Sequence, residues 1–152
     1  MKVLDYLDVG AVSLDLKNST KKEVIEELCE MLAAANKLPD VKTTVDAIME
    51  REKLGSTGIG QGVAIPHAKS TLLTDVVAAL GVSKKGIQFD ALDGEPVYII
   101  FLLMAPVDSA GLHLKVLARI SRLLKDKFFR QSIREAASIE AVKKIIEEED
   151  NY

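Results

Sequence analysis

One cysteine, no tryptophan and only two histidines occur in the 152 residues, and these scarcities remove whole classes of chemistry. A single thiol, Cys29, cannot close an internal disulfide or build a cysteine-rich zinc site. It lies in KKEVIEELCEMLAAANK beside apolar positions of a helical pattern, where a free thiol packs as a small hydrophobe. Only four prolines interrupt the chain, and no linker, internal repeat or low-complexity stretch divides it. A single domain over residues 1–152 is expected. Basic charge is not in excess either: 20 Lys and Arg against 23 Asp and Glu give a net charge of −3. No basic field exists to hold a phosphate backbone, so nucleic-acid binding is disfavoured. The most apolar run, YIIFLLMA (98–105), is too short to span a bilayer. The start, MKVLDYLDVG, carries acids where a signal peptide needs an unbroken apolar stretch, so a cytoplasmic location is expected.

What is present is the composition of a soluble globular protein, 48% hydrophobic and 28% charged. GAVSLDLK (10–17) alternates Val12, Leu14 and Leu16 with polar partners and predicts a half-buried strand. Thr20 and Glu23 stand at capping-box spacing, Thr20 to bond an orphan amide and Glu23 to reach back. Val24, Ile25, Leu28, Met31, Leu32 and Ala35 then mark one face of a helix that ends near Asn36, before Pro39. TTVDAIMEREK (43–53) reads as a second helix with Val45, Ile48 and Met49 inward. GVAIP and VVAALGVS (76–83) read as strands. A hairpin follows: GIQF, a turn at Asp93-Gly94, then VYIIFLLM, apolar enough throughout to be a central strand covered on both faces. From Ser109 the period returns to 3.6, with Leu112, Val116, Ile120, Leu123 and Leu124 in a helix to about Lys125. FFRQSIREAA is shorter, and SIEAVKKIIEEE begins at a cap, Ser138. The terminal EEED reads as a frayed, solvated end. The expected class is α/β: a single-domain sandwich, a mixed β-sheet flanked by helices on both sides.

Chemistry concentrates in GIGQGVAIPHA (58–68). Pro66 has a fixed φ and restricts Ile65 to extended geometry, so His67 stands on a stiff strand end. Gly58, Gly60 and Gly62 permit close backbone approach, and the amides of Gly60, Gln61 and Gly62 are candidate donors to an anion. The plainer reading is a tight turn followed by a polar strand terminus. His113 falls in the first turn of its helix, where backbone amides attract anions, although a lone helical histidine is more often a satisfied surface or core residue. Arg51 precedes the glycines by one turn. Flanked by Glu50 and Glu52, it is either a member of a charged helical face or a planar fork for phosphate oxygens. Ser56 and Thr57 read more readily as loop polars than as hydroxyl donors, and Lys69 either adds positive field or is simply solvated.

Several alternatives lose ground. No Gly-Lys-Ser/Thr follows the glycines, their spacing is not that of a dinucleotide fold, and neither His-Glu-x-x-His nor Gly-x-Ser-x-Gly occurs. A zinc site would have to gather both histidines with Asp108 or Asp75, and neither histidine has a partner at helical i+3 or i+4. A metal-dependent hydrolase is thus a distant third reading, and no metal or cofactor is expected.

At GQGVAIPHAK the sequence resembles the enzyme IIA components of the bacterial phosphoenolpyruvate-dependent phosphotransferase system, in the mannitol/fructose class that includes the nitrogen-regulatory member. Gly62-Val63-Ala64-Ile65-Pro66-His67-Ala68 matches the family's pattern of glycine, short apolar run, Ala-aliphatic-Pro-His and a small residue. The likeness continues through FDALDGEPVYIIFLLMAP and HLKVLARISRLLKDKFFR, covering nearly the whole chain. The resemblance implies that His67 carries a phosphoryl group, on Nε2 with Nδ1–H held by a nearby carbonyl. It also implies that His113 is the second active-site histidine and Arg51 the active-site arginine. The implied donor is the phosphocarrier HPr or its nitrogen-branch relative. The implied acceptor is a cysteine of an enzyme IIB domain, which Cys29 is not, with indirect association with a membrane permease. The alternative within the family is a nitrogen-branch regulator whose phosphorylation state is read by partner proteins. Histidine suits the task because its unperturbed pKa, about 6.5, leaves a nucleophilic nitrogen free at neutral pH.

Overall fold

The computed structural model describes residues 2–151. Its centre is the apolar run the sequence marks. β5 (Val77–Ile87) and β6 (Val97–Pro106) pair antiparallel, Val77 opposite Met104 and Val82 opposite Ile99. β1 (Leu7–Ser13) adds parallel to β5. On the far side of β6 lie β3 (Val63–Ala64) and β4 (His67–Ser70), both parallel to it, and β2 (Gly58–Gly60) pairs antiparallel with β3. The six strands form one mixed sheet in the order β1-β5-β6-β3-β2, with β4 also beside β6.

Because neighbouring strand residues point to opposite faces, β6 supplies two cores. Ile100, Leu102 and Met104 meet Val24, Ile25, Leu28 and Leu32 of α1 (Lys21–Ala34) and Ile48 of α2 (Val41–Lys53). Ile99, Phe101 and Leu103 meet Val116 and Ile120 of α3 (Ala110–Lys125), Phe129 and Ile133 of α4 (Lys127–Glu135), and Val142 and Ile146 of α5 (Ile139–Glu149). Burial of β6 is complete from Ile99 to Ala105, as a central strand requires. The class is the α/β sandwich expected. Among the described residues no helix is long and apolar enough to cross a membrane.

Local signals set the helix ends. Thr20 Oγ1 accepts the Glu23 amide at 3.4 Å, but the Glu23 carboxylate returns to the Thr20 hydroxyl rather than to its amide. Asp40, Asp126 and Ser138 cap α2, α4 and α5 by accepting first-turn amides. Asp93-Gly94 makes its turn, with Gly94 at φ +74° and its N–H on the Ala91 carbonyl.

The strands depart from expectation where tertiary packing overrides alternation. β1 begins at Leu7 and stops at Ser13, and Leu16 folds against Gly81, whose missing side chain makes room for it. Residues 86–87 are not a separate strand but the end of β5, reached past an irregularity between Val82 and Ile87. GVAIP holds only two strand residues before Pro66, and HAKS resumes as β4. The terminal acids are not all frayed. Asp150 is 2% exposed: it accepts the Val3 amide at 2.6 Å, bonds the Arg119 guanidinium and lies 3.7 Å from Arg122 Nη2. That carboxylate ties the end of α5 to the start of the chain and to α3.

Candidate active site

Proline chemistry builds the centre. β3 and β4 keep one register along β6, Val63 opposite Ile99 and His67 opposite Leu103, so the break at Ile65-Pro66 does not shift the strand line. Pro66 lacks an N–H, and its carbonyl accepts the Leu103 amide at 2.9 Å. The Ile65 carbonyl is turned instead to the imidazole, 2.7 Å from Nδ1 of His67. A carbonyl oxygen can only accept, so Nδ1 carries the proton and the lone pair is on Nε2. Val63, Ile65 and His67 are two residues apart and share a face, and Val63 and Ile65 belong to the core on the α3 side.

α3 brings His113 to that face. The two imidazole centroids are 5.6 Å apart with planes inclined by 67°. His113 is only 5% exposed, and neither ring nitrogen has a hydrogen-bond partner. Burial lowers the pKa of His67 and outweighs the hydrogen bond to the Ile65 carbonyl, which raises it; the Arg51 charge lowers it further and the Glu52 charge raises it. Burial likewise lowers His113, helped by the charges of His67 and Lys69. Both rings are therefore neutral at pH 7.

Arg51 lies in the last turn of α2, where Nη1 donates to the Gly55 carbonyl at 2.9 Å. Its charge is felt at His67, whose pKa it lowers. The next residue behaves differently: Glu52 is buried, with Lys21 Nζ at 3.0 Å, the Thr57 amide at 3.2 Å and the Thr57 hydroxyl all on its carboxylate. Thr57 is thus spent on Glu52, and the Ser56 hydroxyl donates to the Phe89 carbonyl. In the glycine loop Gln61 adopts φ +58° and gives its N–H to Asp93 at 3.0 Å, so that amide is already engaged. The Gly62 carbonyl accepts from Tyr98 and Ile99, and Gly60 pairs with Val63. Exposed Ile59, Leu54 and Leu92 project from this loop region, and Leu112 and Leu114 from α3 on either side of His113. Among the described residues no three His, Cys, Asp or Glu side chains stand together, so the zinc arrangement with Asp108 or Asp75 is not assembled.

A neutral histidine with a free Nε2, a second unpartnered imidazole beside it and a nearby guanidinium suit a group that is both electrophilic and rich in oxygen. Residues 5–149 match the family described as phosphoenolpyruvate-dependent sugar phosphotransferase system, EIIA 2. The chain belongs to this EIIA family. Similar proteins include the fructose-specific EIIABC component of Bacillus subtilis, 37% identical over 99% of this chain but only 24% of that protein. The nitrogen regulatory protein of Bradyrhizobium diazoefficiens is 34% identical over 96% of this chain and 95% of its own length. The crystal structure of nitrogen regulatory protein IIA-Ntr from Neisseria meningitidis superposes with a TM-score of 0.87 at 34% identity, covering 93% of this chain and 97% of that one. The chain thus spans about a quarter of the fructose component and nearly all of the nitrogen regulatory protein.

For an EIIA chain, one participant escaped the sequence reading. Glu52 reads as half of an acidic pair around Arg51, yet it is buried while Glu50 is exposed and paired with Lys53. A signal did exist: Val45, Ile48 and Glu52 follow at helical steps of three and four, which puts the carboxylate on the inward stripe. Asp93 was legible only as a turn residue, because its bond to Gln61 joins loops distant in sequence.

Proposed function

We propose that this chain is a phosphocarrier, with His67 accepting a phosphoryl group from HPr or a nitrogen-branch relative and passing it to a cysteine of an enzyme IIB domain. The single observation supporting this most strongly is the tautomer: Nδ1–H on the Ile65 carbonyl and the nucleophilic lone pair at Nε2, beside an imidazole whose own nitrogens lack partners. Nε2 attacks phosphorus; the N–P bond forms as the bond to the donor breaks, and that electron pair leaves with the donor. On discharge a thiolate attacks phosphorus and the N–P electron pair returns to Nε2. Such transfer asks mainly for positioning and charge stabilisation. His113, donating one ring N–H, and Arg51 are suited to hold the oxygens without reorganising. Gly62 remains a candidate amide donor, whereas Gly60 would first have to release its pairing with Val63 and Gln61 its bond to Asp93. Exposed Ile59, Leu92 and Leu114 offer apolar contacts for transient partners, in keeping with a cytoplasmic component that meets its permease indirectly. The solved complex of enzyme IIA-mannitol and phosphorylated enzyme IIB-mannitol from Escherichia coli has this fold, at 19% identity.

Incubation with phosphoenolpyruvate, enzyme I and HPr, followed by mass mapping, should place acid-labile phosphate on His67 and none on His67→Ala. Label retained by that variant would defeat the assignment. A second reading, nitrogen regulation through the same histidine, is supported by the 34% identity to nitrogen regulatory proteins, matched by 34% identity to the fructose-specific EIIA component of Haloferax volcanii. Transfer onward to an enzyme IIB supports sugar uptake; capture of a kinase or a potassium transporter in a phosphorylation-dependent way supports regulation.

A further inference from the structure

A run of hydrogen bonds, interrupted only at the Cα of Ile65 and of Thr57, joins His67 to a buried carboxylate outside the imidazole pair. Nδ1–H of His67 donates to the Ile65 carbonyl at 2.7 Å; the Ile65 amide donates to the Thr57 carbonyl at 3.1 Å; the Thr57 amide donates to Glu52 at 3.2 Å. The Thr57 hydroxyl also donates to Glu52, and Lys21 Nζ, 3.0 Å away, holds the carboxylate from the start of α1. The Glu52 side chain is 2% exposed and that of Lys21 15%. Among the described residues the other carboxylate near Lys21 is that of Asp90, at 3.8 Å and 89% exposed.

We infer that Glu52 is a positioning residue for the phosphoryl-accepting histidine, bracing through Thr57 and Ile65 the carbonyl that holds Nδ1–H and offsetting with its own charge the positive charge the ring gains on forming the N–P bond. The inference rests on the phosphocarrier reading. Three physical points support it. Glu52 holds both the amide and the hydroxyl of Thr57, and the Thr57 carbonyl holds the Ile65 amide, so the carbonyl that accepts from Nδ1 sits on a braced stretch of backbone. Glu52 and Arg51 are adjacent but opposed: the guanidinium favours the neutral ring that attacks, and the carboxylate favours the charged ring that results. Lys21 tempers Glu52, so the charge felt at His67 is that of a partly neutralised pair. At His113 it is burial, then the charges of His67 and Lys69, that push toward neutrality.

A buried ion pair that merely stapled α1, α2 and the loop would loosen the site whichever partner was removed. The charge role instead demands shifts of opposite sign. NMR titration of the His67 ring in the full chain should show its pKa falling in Glu52→Gln and rising in Lys21→Met, where the carboxylate is left unopposed. Phosphorylation by HPr should slow about tenfold or more in Glu52→Gln, the scale of a reacting group slightly misplaced. Shifts of the same sign, or an unmoved ring in Glu52→Gln, would overturn the inference. Should Glu52→Gln not fold, Lys21→Met decides alone: a raised value supports the role, and an unchanged or lowered one removes it. If the unaltered chain takes no phosphate at His67, the phosphocarrier reading fails by itself, while the titrations still decide whether Glu52 governs the ring.

Discussion

Replacing His113 by leucine removes two buried, unpartnered ring nitrogens and inserts a side chain of similar volume. An unsatisfied buried polar group costs about 1–3 kcal/mol. Against that stands the loss of the edge contact with His67, about 0.5–1.5 kcal/mol for an aromatic pair. The balance favours the variant by about 1 kcal/mol near pH 7.5, a rise in Tm of about 2–4 °C for a chain of this length. Function should move the other way, because leucine cannot donate to a phosphoryl oxygen, and phosphorylation of His67 should slow.

The pH dependence makes the test sharper. Burial, first of all, holds the His113 pKa below 6.5. As pH falls through that ordinary value, the unfolded chain takes up the proton before the folded one does. The unfolded state then binds more protons, and stability drops with falling pH by up to about 1.4 kcal/mol per unit for one group until the folded value is passed. Above the ordinary value both states are neutral and this contribution is flat. Leucine does not titrate, so the variant's advantage must widen toward acid. His67 has a shift of the same direction in both proteins and drops out of the difference to first order. Urea denaturation of both proteins at about pH 7.5 and about pH 5.5 measures the two gaps. A leucine variant less stable than its parent near neutrality, or a gap that stays constant into acid, would refute the reasoning.

Two further outcomes follow from packing. A Cβ on Gly58 would lie 2.9 Å from both Cα and Cβ of Ala91, with no flexible end to yield, so Gly58→Ala should cost about 1–3 kcal/mol in urea denaturation and a variant as stable as its parent would show slack in the loop. Asp150→Ala leaves Arg119 without its buried partner and the Val3 amide without its acceptor, and should cost about 3–5 kcal/mol by the same measurement; a loss below about 1 kcal/mol would return that carboxylate to the frayed end it resembles in sequence.

What the sequence determined by itself is whatever depends on near neighbours. Helical periodicity located α1, α3 and α5, with caps marking α1 and α5, a continuous apolar run located β6, and Pro66 with His67 marked the candidate phosphoryl acceptor. These signals act over one to four residues, so no partner is needed to read them. A carbonyl on Nδ1 was implied only by the family resemblance, and it is the fold that makes it the carbonyl of Ile65. Tertiary structure decided which polar groups find which. HAKS is a strand because β6 offers it an edge in the right register, not because its own pattern alternates. Glu52 and Asp150 look like surface acids until α1 and α3 close over them with Lys21 and Arg119. The Gln61 amide looks free until the hairpin loop brings Asp93 beside it. His113 gains its place only when α3 packs on the face to which β4 turns His67. A buried charge or amide must be satisfied by whatever the closed sheet brings near it, and that requirement is settled by packing across the whole chain rather than by spacing along it.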